Sequence, residues 1–318
     1  MLSNEHSSIN GHNQTNEPRV LSIQSHVVSG YCGNKSAVFP LQTLGFDVDF
    51  INSVQFSNHT GYGTWKGQVL NETELRELYD GLKQNGLDRF YTHLLTGYAR
   101  SPSFLEAMHS VIGEIKSNQS NAIYLCDPVL GDNGRLYVPK ELVPIFRDKI
   151  IPLADIITPN QFEAELLSES KITDLKSALN AIDILHGKGI RTVVISSTDE
   201  GFNQSDPKNL TIIASSNHTG TRQLYSISIP RVSATFVGTG DLFAALFLAW
   251  FTKTSFNLKI ALENVVATLQ SIIQRTIKFA ENRDGGTTKR GNVELKIIQG
   301  RNDILEPNVA IRCNEITI

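Results

Sequence analysis

Cysteine is scarce in this chain: three residues in 318, with methionine and tryptophan at two each. Cys32, Cys126 and Cys313 are odd in number, widely spaced and outside any CxxC pair. That pattern argues against a disulfide framework and against a zinc site, and a reducing compartment is expected, the cytoplasm and also the nucleus. Charge of one sign is lacking too. The chain has 29 basic against 32 acidic residues, a formal net charge of -3 and no long single-sign run, so neither nucleic acid nor a membrane surface is suggested as a partner. No apolar run is long enough to span a bilayer. Met1 to Pro18, rich in Ser, Asn and His, has no apolar core and is expected to be a disordered tail, not a signal peptide. Triplets such as Asn58-His59-Thr60 and Asn71-Glu72-Thr73 therefore carry no glycosylation meaning. Internal repeats and linkers rich in Pro, Gly or Ser are absent, and a single domain over residues 19–318 is expected.

A Walker motif is missing as well. Ser29-Gly30-Tyr31-Cys32-Gly33-Asn34-Lys35-Ser36 follows a strand-like run and ends in Lys-Ser, but the required glycines of G-x-x-x-x-G-K-[ST] would fall at Ser29 and Asn34. Any nucleotide must be held otherwise.

What is present is an alternation of strands and helices. Strands are expected at Val20–Val28, Phe46–Ile51, Tyr91–Leu95, Ala122–Cys126, Asp155–Thr158, Thr192–Ile195 and Leu224–Ile229. Helices are expected from about Ala37, after the capping pattern Asn71-x-x-Glu74 with Leu75, Leu78 and Leu82 on one face, after Ser101-Pro102, after Asn160, and over Leu258–Ala280. Ser53 to Trp65 reads as a flap facing a ligand or as a plain surface connection, and Leu210–Ala214 as a peripheral β element in a loose loop. The alternation predicts an α/β fold with a doubly wound, mostly parallel sheet and helices on both faces.

Four strand ends carry polar chemistry, and each also has a plain structural explanation. Gly238-Thr239-Gly240-Asp241 precedes an almost wholly apolar helix. Its glycines and the free amides of the helix start suit an anion such as a phosphoryl group, and the carboxylate of Asp241 suits a proton acceptor; a buried helix capped by Asp241 explains the same letters. Asp127-Pro128-Val129-Leu130-Gly131-Asp132 suits Mg²⁺ bridged to phosphates or a monovalent cation at Asp127, or is turn chemistry. Thr158-Pro159-Asn160-Gln161-Phe162-Glu163 is a capping box that also sets an amide and a carboxylate at a strand's carboxyl end. Glycines after the first strand allow close approach of a ligand. Caps and turns explain each loop singly but do not predict the set. An anion hole, an adjacent base and acidic metal sites without a Walker lysine suggest phosphoryl transfer from ATP to an alcohol.

Thr158 to Glu163 and Gly238 to Asp241, in that order, resemble the ribokinase-like superfamily. Arg19 to Val27, Asn52 to Tyr62, Cys126 to Asp132 and Ala154 to Leu167 resemble its vitamin B6 branch, the eukaryotic pyridoxal kinases. The resemblance runs from Arg19 nearly to the C-terminus. It implies a ribokinase-like fold, phosphorylation of the hydroxymethyl group of pyridoxal, pyridoxine or pyridoxamine, and a homodimer. It further implies that Ser25, Thr60, Phe56 and Tyr98 bind the pyridine ring, that Asp241 is the base, and that Gly238, Thr239 and Gly240 stabilise the transferring phosphoryl group. Asn160, Glu163, Ser196, Ser197, Tyr137, Thr239 and Gly240 would serve ATP. Asp132 and Glu163 would serve Mg²⁺, while Asp127, Thr158 and Ser196 would surround K⁺. The chain departs from the family pattern in a short Asn133–Leu136 segment, in Ser196 for a threonine and in Ser233 for an acidic residue. A hydroxymethylpyrimidine kinase of the same fold and a B6-binding carrier without turnover are the alternatives.

Overall fold

The computed structural model describes residues 17–198, 202 and 208–317, so the expected tail up to residue 16 lies outside the described residues. In chain order the strands are β1 (Arg19–Val27), β2 (Asp47–Phe56), β3 (Gly67–Val69), β4 (His93–Thr96), β5 (Ile123–Cys126), β6 (Gly131–Asp132), β7 (Arg135–Leu136), β8 (Ile156–Ile157), β9 (Thr192–Ile195), β10 (Asn209–Ser216), β11 (Gln223–Pro230) and β12 (Asn314–Glu315). The helices are α1 (Asn34–Thr43), α2 (Glu72–Gln84), α3 (Pro102–Asn118), α4 (Leu142–Ile145), α5 (Gln161–Ser168), α6 (Leu175–Gly187), α7 (Thr239–Lys253), α8 (Leu258–Glu281) and α9 (Arg301–Leu305). Ten strands form one sheet in the order β12-β11-β10-β9-β8-β5-β4-β1-β2-β3, and β6 and β7 form a separate ribbon. The six strands from β9 to β2 are parallel, whereas β3 at one edge and β10, β11 and β12 at the other run antiparallel.

Successive residues of a strand point to opposite faces, and here both faces are buried. Leu21, Leu94, Tyr124, Ile157 and Val193 pack with α2, α3, α5 and α6, while their neighbours Val20, Leu95, Leu125, Ile156 and Val194 pack with α1, α7, α8 and α9. Near-continuous apolar strands are the consequence, and they match the expected doubly wound fold. Local capping is also as expected: Asn71 and Glu74 form a reciprocal capping box, and Ser101 Oγ accepts from the Phe104 amide ahead of a Pro at the first turn. Among the described residues no helix is long and apolar enough to cross a membrane.

Several boundaries differ from expectation. Helix α1 starts at Asn34, three residues ahead of Ala37, because Asn34 is held by the sheet: its side chain donates to the Ile51 carbonyl at 3.0 Å and accepts from Ser22 Oγ at 2.7 Å. Strand β2 runs on to Phe56 and so takes in the start of the expected flap; a bulge at Ser53, opposite Gln24 and Ser25, lets it stay paired with β1 through Val27 and Phe56. Leu78 is exposed, and α2 buries Leu75 and Tyr79 instead. The expected peripheral β element is β10, an integral strand paired with both β9 and β11.

Candidate active site

The carboxyl ends of the parallel strands β1, β4, β5, β8 and β9 share one edge of the sheet, where ligands bind in open α/β folds, and the start of α7 meets the loop after β1 and the end of β5 there. The cap of α7 is Gly238, at φ 83°, and no side chain caps the helix. A Cβ at Gly238 would collide with the Tyr31 carbonyl oxygen and stand 2.7 Å from Ser36 Oγ, so conformation and space both require glycine there. The first-turn amides are thus left without a side-chain partner, at the positive end of the helix dipole. Asp241 is not the cap. Its Oδ2 accepts from the amide of Gly33, in the loop after β1, at 2.7 Å, and the side chain is buried. Burial raises its pKa, opposed by the Gly33 amide and the Cys32 thiol. A buried carboxyl whose affinity for protons is raised is a better proton acceptor than an exposed one.

Asp127, at the end of β5, lies beside this turn: a Cβ on Gly240 would be 3.8 Å from its Oδ2. Thr158 Oγ1, after β8, donates to Asp127 Oδ1 at 3.2 Å. Burial, then the carboxylates of Glu163 and Asp241, push the Asp127 carboxyl well above the ordinary range. Glu163 closes the capping box of α5, accepting from the Asn160 amide at 3.0 Å, and its other oxygen accepts from the Leu130 amide at 2.8 Å. Burial lifts Glu163 to about 7, against the pull of those amides and of Gly131. Asn160 also donates to the Gly131 carbonyl at 2.7 Å, joining the α5 start to the β6 loop. Asp132, half-buried and raised by burial, accepts from the Asn133 amide at 2.8 Å.

Phe56 packs with Val27 and Val54, and Cys32 and Tyr98 lie against them, so the predicted ring-enclosing residues Phe56 and Tyr98 do meet. Ser25 is buried at the end of β1, 3.7 Å from Cys32 Sγ, and burial pushes that thiol far up, leaving it neutral. Thr60 opens a short helical turn, Thr60–Tyr62, and is exposed.

On the opposite flank, Ser196 donates to the Pro159 carbonyl through its amide at 2.8 Å and its hydroxyl at 3.3 Å, and the Ser197 carbonyl accepts from the Gln161 amide at 3.0 Å. These bonds hold the loops after β8 and β9 together. The short Asn133–Leu136 segment is a tight hairpin: Asn133 (φ 49°) and Gly134 (φ 76°) turn the ribbon of β6 and β7. Tyr137 follows it, 60 % exposed, its amide bonded to the Leu130 carbonyl.

Asp127, Glu163 and Asp241 are three buried carboxyls whose ionised forms burial disfavours, an arrangement that a bound cation would relieve. Among the described residues no group of three or more His, Cys, Asp or Glu could hold a metal alone. Three contributors had escaped the sequence reading. The Gly33 amide and Cys32 sit in the noted glycine loop, but nothing in the sequence ties them to Asp241; Glu294, after α8 and outside every motif, touches Tyr31 and Tyr62.

A family model described as phosphomethylpyrimidine kinase matches residues 101–287. Over 308 residues the chain is 49 % identical to the pyridoxal kinase of Homo sapiens, covering 93 % of this chain and 98 % of that one. It is likewise 49 % identical to the pyridoxal kinase of Arabidopsis thaliana over 298 residues, 92 % and 93 % of the two chains. The solved structure of pyridoxal kinase from Leishmania donovani in complex with ADP and pyridoxamine is 35 % identical and superimposes with a TM-score of 0.86 over 95 % of this chain and 100 % of that one.

Proposed function

The chain belongs to the pyridoxal kinase family, and from that premise we propose how its own residues carry out transfer of the γ-phosphoryl group of ATP to the hydroxymethyl oxygen of pyridoxal. The observation that carries the assignment of roles is Asp241, buried at the start of α7 and bound by the Gly33 amide, next to a glycine turn with free amides. Asp241 takes the hydroxymethyl proton as the oxygen attacks phosphorus and the bond to ADP breaks. The amides of Thr239 and Gly240, with Gly238 setting their direction, carry the charge on the phosphoryl oxygens. Phe56 and Tyr98 enclose the pyridine ring, and Ser25 and Thr60 meet its polar substituents. Asn160, Ser196, Ser197 and Tyr137 would contact the nucleotide.

Asp132 and Glu163 would hold Mg²⁺, and Asp127, Thr158 and Ser196 would surround K⁺. These ions would neutralise phosphate charge and offset the buried carboxylates. Pyridoxine and pyridoxamine share the hydroxymethyl group and are proposed as further substrates, and the assembly is proposed as a homodimer in a reducing compartment, the cytoplasm and also the nucleus. The test is a side-by-side assay of pyridoxal and hydroxymethylpyrimidine with ATP, Mg²⁺ and K⁺, omitting each ion in turn. Pyridoxal phosphate should form; if only the pyrimidine is phosphorylated, or pyridoxal binds without ATP consumption, the reading fails.

A further inference from the structure

Glu294 belongs to the segment after α8, which carries no motif, yet its carboxylate lies between two loops of the site. Oε2 accepts from the Tyr31 amide at 3.0 Å. Oε1 accepts from the Tyr62 hydroxyl at 2.9 Å and faces His59 Nε2 at 3.4 Å. Burial pushes the Glu294 pKa up, but the bonds from His59, Tyr62 and the Tyr31 amide outweigh it and hold the group below the ordinary carboxylate value. The carboxylate is therefore an anion at neutral pH. The chain leaves space for it: Gly30, at φ 92°, has no Cβ, and one there would stand 2.6 Å from the Glu294 carboxyl carbon.

The flap is the segment 57–66 between β2 and β3. At its base the Ser57 carbonyl accepts from the Ser29 amide at 2.9 Å, and further bonds are internal, such as Ser57 amide to Lys66 carbonyl at 2.7 Å and Asn58 Nδ2 to Thr64 carbonyl at 2.9 Å. Among the described residues, the hydrogen bonds and ion pairs by which residues 59–65 leave the flap end on Glu294. On its other side Glu294 holds Tyr31, whose carbonyl lies against Gly238 and whose near neighbour Gly33 bonds Asp241. One carboxylate thus joins the flap that bears Thr60 to the loop that seats the base.

We propose that Glu294 is a positioning residue for the vitamer: it latches the flap onto the loop after β1 and so closes the pyridine site. The proposal rests on the pyridoxal kinase reading and deepens it. In Glu294→Gln the amide nitrogen cannot accept from either Tyr31 or Tyr62, and in Tyr62→Phe only the flap's bond is lost. Two readouts are needed, native-state trypsin cleavage after Lys66, which reports flap seating without activity, and the KM values for pyridoxal and ATP. A hydrogen bond to a charged group is worth about 1.4 kcal/mol or more, so Glu294→Gln should speed cleavage after Lys66 and raise the pyridoxal KM by about ten-fold each. The ATP KM should stay within about two-fold. Tyr62→Phe should give a smaller change of the same kind, and the double variant should be no worse than Glu294→Gln alone. Unchanged cleavage overturns the latch whatever the kinetics. Faster cleavage with an unchanged pyridoxal KM, or with an equal rise for ATP, overturns its role in substrate positioning. An inert wild type sinks the kinase reading alone, and the proteolysis and equilibrium binding of pyridoxal then decide the latch.

Discussion

Two alanine substitutions at the start of α7 separate folding from phosphoryl stabilisation. In Gly238→Ala the new methyl stands 2.7 Å from Ser36 Oγ and nearer still to the Tyr31 carbonyl, at φ 83°. Ordinary carbon-oxygen contact begins at about 3.3 Å, so clearing Ser36 Oγ alone takes ~0.6 Å and clearing the Tyr31 carbonyl takes more. The left-handed backbone costs roughly 1–2 kcal/mol and overpacking a further 1–3 kcal/mol, a destabilisation of about 2–5 kcal/mol. Turnover should fall by on the order of 10²-fold, because a shift approaching 1 Å moves the amides and Asp241 together. Gly240→Ala is the contrast. Its methyl meets no neighbouring atom nearer than 3.8 Å, from Asp127 Oδ2, and lies in the first turn of a helix, where alanine is preferred. Stability should be unchanged or higher by up to about 1 kcal/mol, while turnover falls by roughly ten-fold or more as the methyl enters the phosphoryl space. Urea unfolding and initial-rate assays on both variants give the comparison. If Gly240→Ala turns over like wild type, the anion site is not at this turn.

Asn160→Ala removes one half of a capping box and the bond to the Gly131 carbonyl, so urea unfolding should show a loss of about 1–2 kcal/mol, with a raised ATP KM; an unchanged unfolding midpoint counts against the joint between α5 and the β6 loop. Glu163 has a folded-state pKa lifted to about 7, above its ordinary 4.5, so its contribution to stability is full below about pH 4.5 and is lost as pH rises through 7. With chelator present, the wild-type Tm should therefore fall relative to that of Glu163→Gln between pH 5 and 8 on the order of a few degrees, and parallel Tm curves would refute the assignment. Added Mg²⁺ with ATP should raise the wild-type Tm more at pH 8 than at pH 6 if the ionised carboxylates hold the cation as proposed; equal shifts would detach the buried carboxyls from cation binding.

The sequence showed the fold where the signal is local. Apolar strands buried on both faces read as near-continuous runs, and the Asn71, Ser101 and Asn160 caps are set by neighbours three residues away. The same locality explains the misses. Strand β2 reads as finished at Ile51 because Asn52 and Ser53 interrupt the apolar pattern, although β2 bulges at Ser53 and its pairing with β1 goes on beyond it. Strand β10 lies between polar runs that hide its place in the sheet. At the site, the glycine turn and Asp241 were legible, but the reading of Asp241 as a helix cap gives way to a bond with Gly33, 208 residues distant in sequence. Glu294 gave no signal at all, since a single glutamate in an irregular tail has no pattern to belong to.

Everything proposed for the site turns on Asp241 accepting the substrate proton. Asp241→Asn keeps the shape and can still accept from the Gly33 amide, so the fold and the ring pocket survive. The most direct measurement is single-turnover transfer of the γ-phosphoryl group to pyridoxal by rapid quench, with pyridoxal binding followed separately. The transfer rate should fall by on the order of 10²- to 10⁴-fold, with binding within about three-fold of wild type. Wild-type transfer in Asp241→Asn would contradict it.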